Sequence, residues 1–121
     1  MKKIISIDGK EYTMKSSAYT QFAYRNMTNR SLLKDLQEII KLADKIDEKK
    51  PEENLSLLDE LTEPILDLAF VMIQEADATQ VKTKEEFYKG IESMYDDITW
   101  ITEVISLAIN PLSRRLQDNQ K

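Results

Sequence analysis

The chain contains no cysteine and no histidine. Without thiols there are no disulfides and no thiolate nucleophile. Without imidazole the His-dependent triads are gone, and with both residues missing so are the usual zinc ligands. Only two glycines occur, isolated at Gly9 and Gly90, so no glycine-rich loop can cradle a phosphate. No apolar run approaches the ~18 residues that a membrane-spanning helix needs, and Met1-Lys2-Lys3 leads into no signal-peptide core. The expectation is a chain that starts at or near Met1 and stays inside the cell that makes it. Lys and Arg total 17 against 22 Asp and Glu, a formal net charge of −5. That balance argues against nucleic acid, whose phosphates demand clustered cations. The expected partners are proteins, with no nucleic acid and no membrane among them.

What is present points to a helical protein. At 121 residues, 41% hydrophobic and 32% charged, the chain suits a single domain that buries roughly two-thirds of its unfolded surface. The predicted fold class is mainly α: a compact multi-helix domain with a short N-terminal β-hairpin. Residues 1–15 form the hairpin, 16–110 the helical core and 111–121 a polar, flexible tail.

In the hairpin, Asp8-Gly9 is a preferred two-residue turn, because both central positions need positive φ. Pairing Ile7 with Lys10 puts Ile5 opposite Tyr12 and gathers Ile5, Ile7, Tyr12 and Met14 on one apolar side. A lone hairpin is marginal in water, so that side must pack on helices or on a partner.

A first helix begins at a capping Ser16 or Ser17, with Tyr19, Phe22 and Ala23 sharing a face and Met27 one turn on. A polar turn over 26–30 separates it from a second helix over 31–47. There Leu32, Leu36, Ile39, Ala43 and Ile46 form a stripe that Leu33 and Ile40 widen. The stripe covers two heptads, short of a coiled coil, and reads as a core face.

A charged loop over 47–53 follows, with Pro51 stopping helical continuation. The next helix carries Leu55, Leu58 and Leu61 and meets Pro64, where it bends or a new helix starts near Thr62. From Ile65 to Ile73 only Asp67 is polar, the mark of a central, enclosed helix. Thr83 and Glu86 form a capping box, opening a helix with Phe87, Ile91, Met94, Tyr95 and Ile98 inward. The spacing over 98–109 predicts a last helix that Pro111 ends, and Trp100 within it reads as core.

Chemistry, if any, would rest on carboxylates and a metal. Glu60, Glu63 and Asp67, with Glu92 and Asp96 further on, are the tightest acidic constellation. Helical magnesium-dependent nucleotide pyrophosphohydrolases use Glu-x-x-Glu and Glu-x-x-Asp pairs, because magnesium wants oxygens converging in an octahedron. Here Glu92 and Asp96 are spaced by four and Pro64 follows Glu63, so a solvated acidic surface is the better reading. No catalytic, cofactor-binding or metal-binding residue is assigned. Arg114-Arg115 is too short a basic element to argue nucleic-acid binding.

The opening run Ile7-Asp8-Gly9-Lys10-Glu11-Tyr12, then Ala18-Tyr19, Phe22-Ala23-Tyr24-Arg25 and Leu32-Leu33-Lys34-Asp35-Leu36, resembles the tail assembly chaperones of long-tailed bacteriophages of Gram-positive hosts. Leu68-Ala69-Phe70-Val71-Met72, the Ala-Asp loop after it and the Glu86-Phe87 helix start are also similar. Met27-Thr28 stands where family members often carry Phe-Gly before the second helix. The resemblance implies a non-enzymatic protein with no cofactor. It binds the tape measure protein, helps tail tube subunits assemble around it in the host cell cytoplasm, and is absent from the mature virion. In many members a frameshift near the end of the gene adds a second domain, and the resemblance would place such a join at the polar segment Ser113 to Lys121.

An apolar groove on a small acidic carrier suits a helical, aggregation-prone client. The candidate protein-binding residues are Tyr19, Phe22, Tyr24 and Arg25; the aromatic ones lie on more than one helical face. Self-association would use a similar face, so a homo-oligomer stays open. The competing readings are the magnesium-dependent pyrophosphohydrolase and a generic helical interaction adaptor.

Overall fold

A computed structural model of the chain describes residues 1–45, 51–94 and 98–119, with side chains at all of these except 43, 51–53 and 112–119. Ile46, Tyr95 and Asp96, together with the side chains of Ala43, Arg114 and Arg115, lie outside the described set. The element order is β1 (Lys2–Ile7), β2 (Lys10–Lys15), α1 (Ala18–Thr28), α2 (Leu32–Ala43), α3 (Pro51–Ala76), α4 (Lys84–Lys89) and α5 (Thr99–Asn119). The predicted class holds: five helices and a two-stranded antiparallel hairpin.

The hairpin has the expected register, Ile7 opposite Lys10 and Ile5 opposite Tyr12. Asp8 and Gly9 take φ of 54° and 81°, the two positive values that a type I′ turn requires. Ile5, Ile7, Tyr12 and Met14 are all buried, with β2 lying on α3 and β1 on α5. Burying Ile5, Ile7 and Met14 contributes about 1.5–3 kcal/mol each, which is what an isolated hairpin lacks.

Polar contacts fix where the hairpin sits. Thr13 stands opposite Ile4 at a position whose backbone groups face away from β1. Both are taken by Gln80, whose Oε1 accepts from Thr13 N at 2.7 Å and whose Nε2 donates to Thr13 O at 2.8 Å. One side-chain amide thus occupies the outer edge of β2 as a neighbouring strand would. At the tip, Asp8 Oδ2 accepts from the backbone of Glu92 and Ser93 at 2.9 and 3.2 Å.

Helix α1 is capped by Ser17, whose side chain accepts from the first turn while Thr20 Oγ1 accepts from the Ser17 amide. Glu75 of α3 accepts from Ser17 Oγ and from Thr20 Oγ1, each at 2.8 Å. Those bonds turn the Thr20 side of α1 toward α3. Tyr24, four residues on, shares that side and is fully buried, while Tyr19 and Phe22 face outward. The face that Tyr19 and Phe22 share is thus not the one the fold buries: Thr20 and Tyr24 point inward, with Ala23 and Met27 packed at the edge.

In α2, capped by Ser31, Leu32, Leu36 and Ile39 are buried as expected, whereas Leu33 and Ile40 are left exposed. The stripe is narrower than its composition suggests.

Helix α3 runs unbroken from Pro51 to Ala76 with Pro64 inside it. Pro51 is the first residue of the helix, so 51–53, expected in the loop, are helical, in keeping with proline's preset φ and dispensable N–H at a first helical position. Pro64 cannot donate to the carbonyl of Glu60, and Glu60 is exposed, so water can take that role. Residues Ile65 to Ile73 are buried without exception, as expected of a central helix.

The last two helices differ more from expectation. Helix α4, with Thr83 Oγ1 accepting from Glu86 N, ends at Gly90 and does not continue to Ile98, which is exposed. Glu86 reaches back to the amide of Lys82, one residue beyond the cap. Trp100 is buried and donates its indole N–H to Met94 O at 3.0 Å.

Helix α5 passes through Pro111 to Asn119, although proline was expected to end it. Pro111 has no N–H for the carbonyl of Leu107. Ser16, fully buried where the hairpin meets α1, donates its hydroxyl to that carbonyl at 2.7 Å. Its own amide and carbonyl exchange bonds with Met1. A hydroxyl from the far end of the chain thus supplies the donor that the proline removes.

Candidate functional site

Two places could hold function. The first is where the sequence offers chemistry, at the acids of α3. Asp67 is the sole polar residue of its run and is 0% exposed. An ionised carboxylate in such a position is costly unless paired and hydrogen-bonded. Its Oδ1 lies 2.7 Å from Lys84 Nζ and accepts from Tyr88 Oη at 2.7 Å; its Oδ2 accepts from Arg30 Nη2 at 2.8 Å.

Arg30 also donates its Nε to Asp35 Oδ2 at 2.9 Å, and its guanidinium stands over the Tyr24 ring at 5.8 Å. Tyr24 donates its hydroxyl to the same Asp35 oxygen in a short hydrogen bond. Two carboxylates, two cations and two phenols thus link α1, the α1–α2 turn, α2, α3 and α4 around one buried charge. Both phenols resist ionisation: burial is the larger cause, and the neighbouring carboxylate, Asp35 for Tyr24 and Asp67 for Tyr88, adds to it. The Arg30 guanidinium is held above its ordinary range, first by Asp35, then by Tyr24 and Asp67.

This cluster is built as a structural joint. Both oxygens of Asp67 are occupied by cations and a phenol. Glu63 is exposed and 4.0 Å from Arg30, Glu60 is exposed, and the amide of Glu92 is bound to the hairpin tip. The acidic constellation considered for magnesium is therefore dispersed, apart from Asp96, which lies outside the described residues. Among the described residues no three His, Cys, Asp or Glu side chains converge to hold a metal ion.

The second place is the outer face of α1. Tyr19 and Phe22 are 57% and 59% exposed, and their rings lie 5.8 Å apart. A depression opens on either side of this ring pair. One, of about 300 Å³, is lined by Tyr19, Ala23, Met27, Phe70, Val71, Gln74 and Glu75, and so lies between α1 and α3. The other, of about 350 Å³, is lined by Ala18, Gln21, Phe22, Arg25, Ser31, Leu32 and Leu33, between α1 and α2. Exposed apolar side chains that stand alone are ordinary, as Met1, Ile4, Leu55 and Ile98 are exposed here, whereas clustered ones mark interaction sites.

Of the four sequence candidates, Tyr19, Phe22 and Arg25 lie on or beside this ridge. Tyr24 does not: it is 0% exposed, and its hydroxyl is committed to Asp35. Sequence reasoning missed Leu33, whose place beside the core stripe of α2 concealed that it lines the second depression. It also missed the partners of Asp67, for which a lone acid in an apolar run is a signal that cations lie nearby.

Comparison of the chain with protein-family models, with curated proteins and with solved structures finds no match. Among the described residues no helix is long and apolar enough to cross a membrane.

Proposed function

We propose that this protein is a non-enzymatic tail assembly chaperone of a long-tailed phage, binding the tape measure protein while tail tube subunits assemble around it. The observation that carries this reading is the exposed Tyr19–Phe22 ridge between two depressions on a protein of net charge −5. A helix laid along the ridge would straddle the ring pair and set apolar side chains into the depressions on either side, the helix-in-groove mode. The acidic remainder of the surface keeps such a complex in solution. The role is transient, in the host cell cytoplasm, and the chaperone leaves before the virion is complete.

The residues proposed to meet the client are Tyr19, Phe22, Arg25 and Leu33. The test is co-expression of the full chain with the tape measure protein encoded beside it. The expected result is that the client stays soluble and co-purifies, and that a Tyr19→Ser/Phe22→Ser variant loses both effects while remaining folded by circular dichroism. A client equally insoluble with and without the protein would overturn the proposal.

A further inference from the structure

No Asp or Glu occurs between Glu11 and Asp35, although the chain carries 22 acids. That acid-free stretch runs from Tyr12 in β2 through the whole of α1 to the start of α2, and its charges are Lys15, Arg25, Arg30 and Lys34. Arg30 is consumed by Asp35 and Asp67. Arg25 and Lys34 are exposed, and among the described residues neither side chain joins an ion pair. Arg25 lines the depression between α1 and α2, and Lys34 follows Leu33, which lines it too. The other depression carries the opposite sign, through Glu75.

We infer that the ridge selects an amphipathic helix whose apolar stripe is flanked by acidic residues on one side, the side that lies over Arg25 and Lys34. This deepens the docking reading above and rests on it, since the face must bind a helix before the helix's charge can matter. The two depressions fix the orientation. The partner's acids lie along α2, and its polar or basic flank lies toward Glu75. On a protein of net charge −5, acids on the partner gain beside Arg25 and Lys34 and are repelled on the Glu75 side, which orients the partner as well as holding it.

The test uses the full chain and two synthetic helical peptides that share one Leu/Phe stripe, one flanked by Glu and the other by Lys. Binding is read by fluorescence anisotropy, with light scattering on the same samples. The Glu peptide is expected to bind about tenfold more tightly, as two exposed ion pairs replaced by two repulsions would give. The preference should fade in high salt as the screening length shortens. It should vanish or reverse in Arg25→Glu/Lys34→Glu, and Phe22→Ser should weaken both peptides.

Equal affinity for the two peptides, both weakened by Phe22→Ser, would overturn the acidic partner and leave the docking reading intact. Binding of neither peptide, or binding indifferent to Phe22→Ser, would overturn both. A dimer of the free chain that Phe22→Ser dissociates would also overturn the inference, by assigning the ridge to a second copy.

Discussion

Asp67 and the Tyr19–Phe22 pair lie on packed neighbouring helices, α3 and α1, and have exchanged the usual places of charge and oil. The carboxylate is 0% exposed within the apolar run Ile65 to Ile73, while Tyr19 and Phe22 stand more than half exposed on the surface. The buried charge is tolerated because Arg30, Lys84 and Tyr88 fill its oxygens, so that the elements contributing those groups must all be in place together. The exposed rings hold nothing together: the α1 face that the fold needs is that of Thr20 and Tyr24. The first region is polar for the sake of the fold. The second is apolar although the fold does not require it, which is why it is the better candidate for function.

The sharpest way to break the contrast is Asp67→Ala. It leaves the Tyr88 hydroxyl without its acceptor and removes the charge that Arg30 and Lys84 hold. Hydrogen bonds to a charged group contribute about 1.5–3 kcal/mol each, and since both cations are more than a third exposed and regain water, the net loss is about 3 kcal/mol. Urea unfolding should show a correspondingly lower midpoint; an unchanged midpoint would mean that the cluster is solvated. Ser16→Ala comes next, at about 1–3 kcal/mol, the cost of leaving a buried carbonyl without its donor. Its cause can be isolated by repeating it in Pro111→Ala, where the restored N–H can serve the Leu107 carbonyl; the penalty for losing Ser16 should then shrink.

The phenols supply a pH test. Tyr24 and Tyr88, and to a lesser degree Tyr12, hold their protons above the ordinary value of 10.0 when folded. Below that value the tyrosines are neutral in both states and contribute no pH dependence. Above it the unfolded chain ionises first, so stability should fall as pH rises beyond 10, following the linkage of proton binding to folding. Tyr88→Phe should flatten that decline, with denaturant midpoints taken from pH 9 to 11 as the measure. The smallest effect is expected for Phe22→Ser, within about 0.5 kcal/mol of the parent. A large loss of stability there would show that the ridge belongs to the fold after all.

Local signals made much of the architecture legible. The Asp8-Gly9 turn, the serine and threonine caps and the apolar run of α3 each place an element through interactions spanning a few residues. The failures turn on partners that a local window does not contain. Gly90 and Pro111 are both helix breakers, yet α4 stops at the glycine while α5 passes through the proline. At Pro111 the freed carbonyl is met by Ser16, a donor from the other end of the chain that no window of sequence around Pro111 contains. In the candidate site, Tyr19, Phe22 and Arg25 could be named from their residue types. That Tyr24 is withdrawn from them follows from the pull of Glu75 on Ser17 and Thr20, a contact between distant parts of the chain.

The sequence by itself determined the helical class, the hairpin with its register, and the central place of α3, because periodicity, turn geometry and capping act over short separations. Only the tertiary structure decided which side of α1 faces inward, what neutralises Asp67, and what satisfies the carbonyl freed by Pro111. Each of those depends on a polar partner far away in the chain, and a buried polar group is stable only where that partner is brought to it.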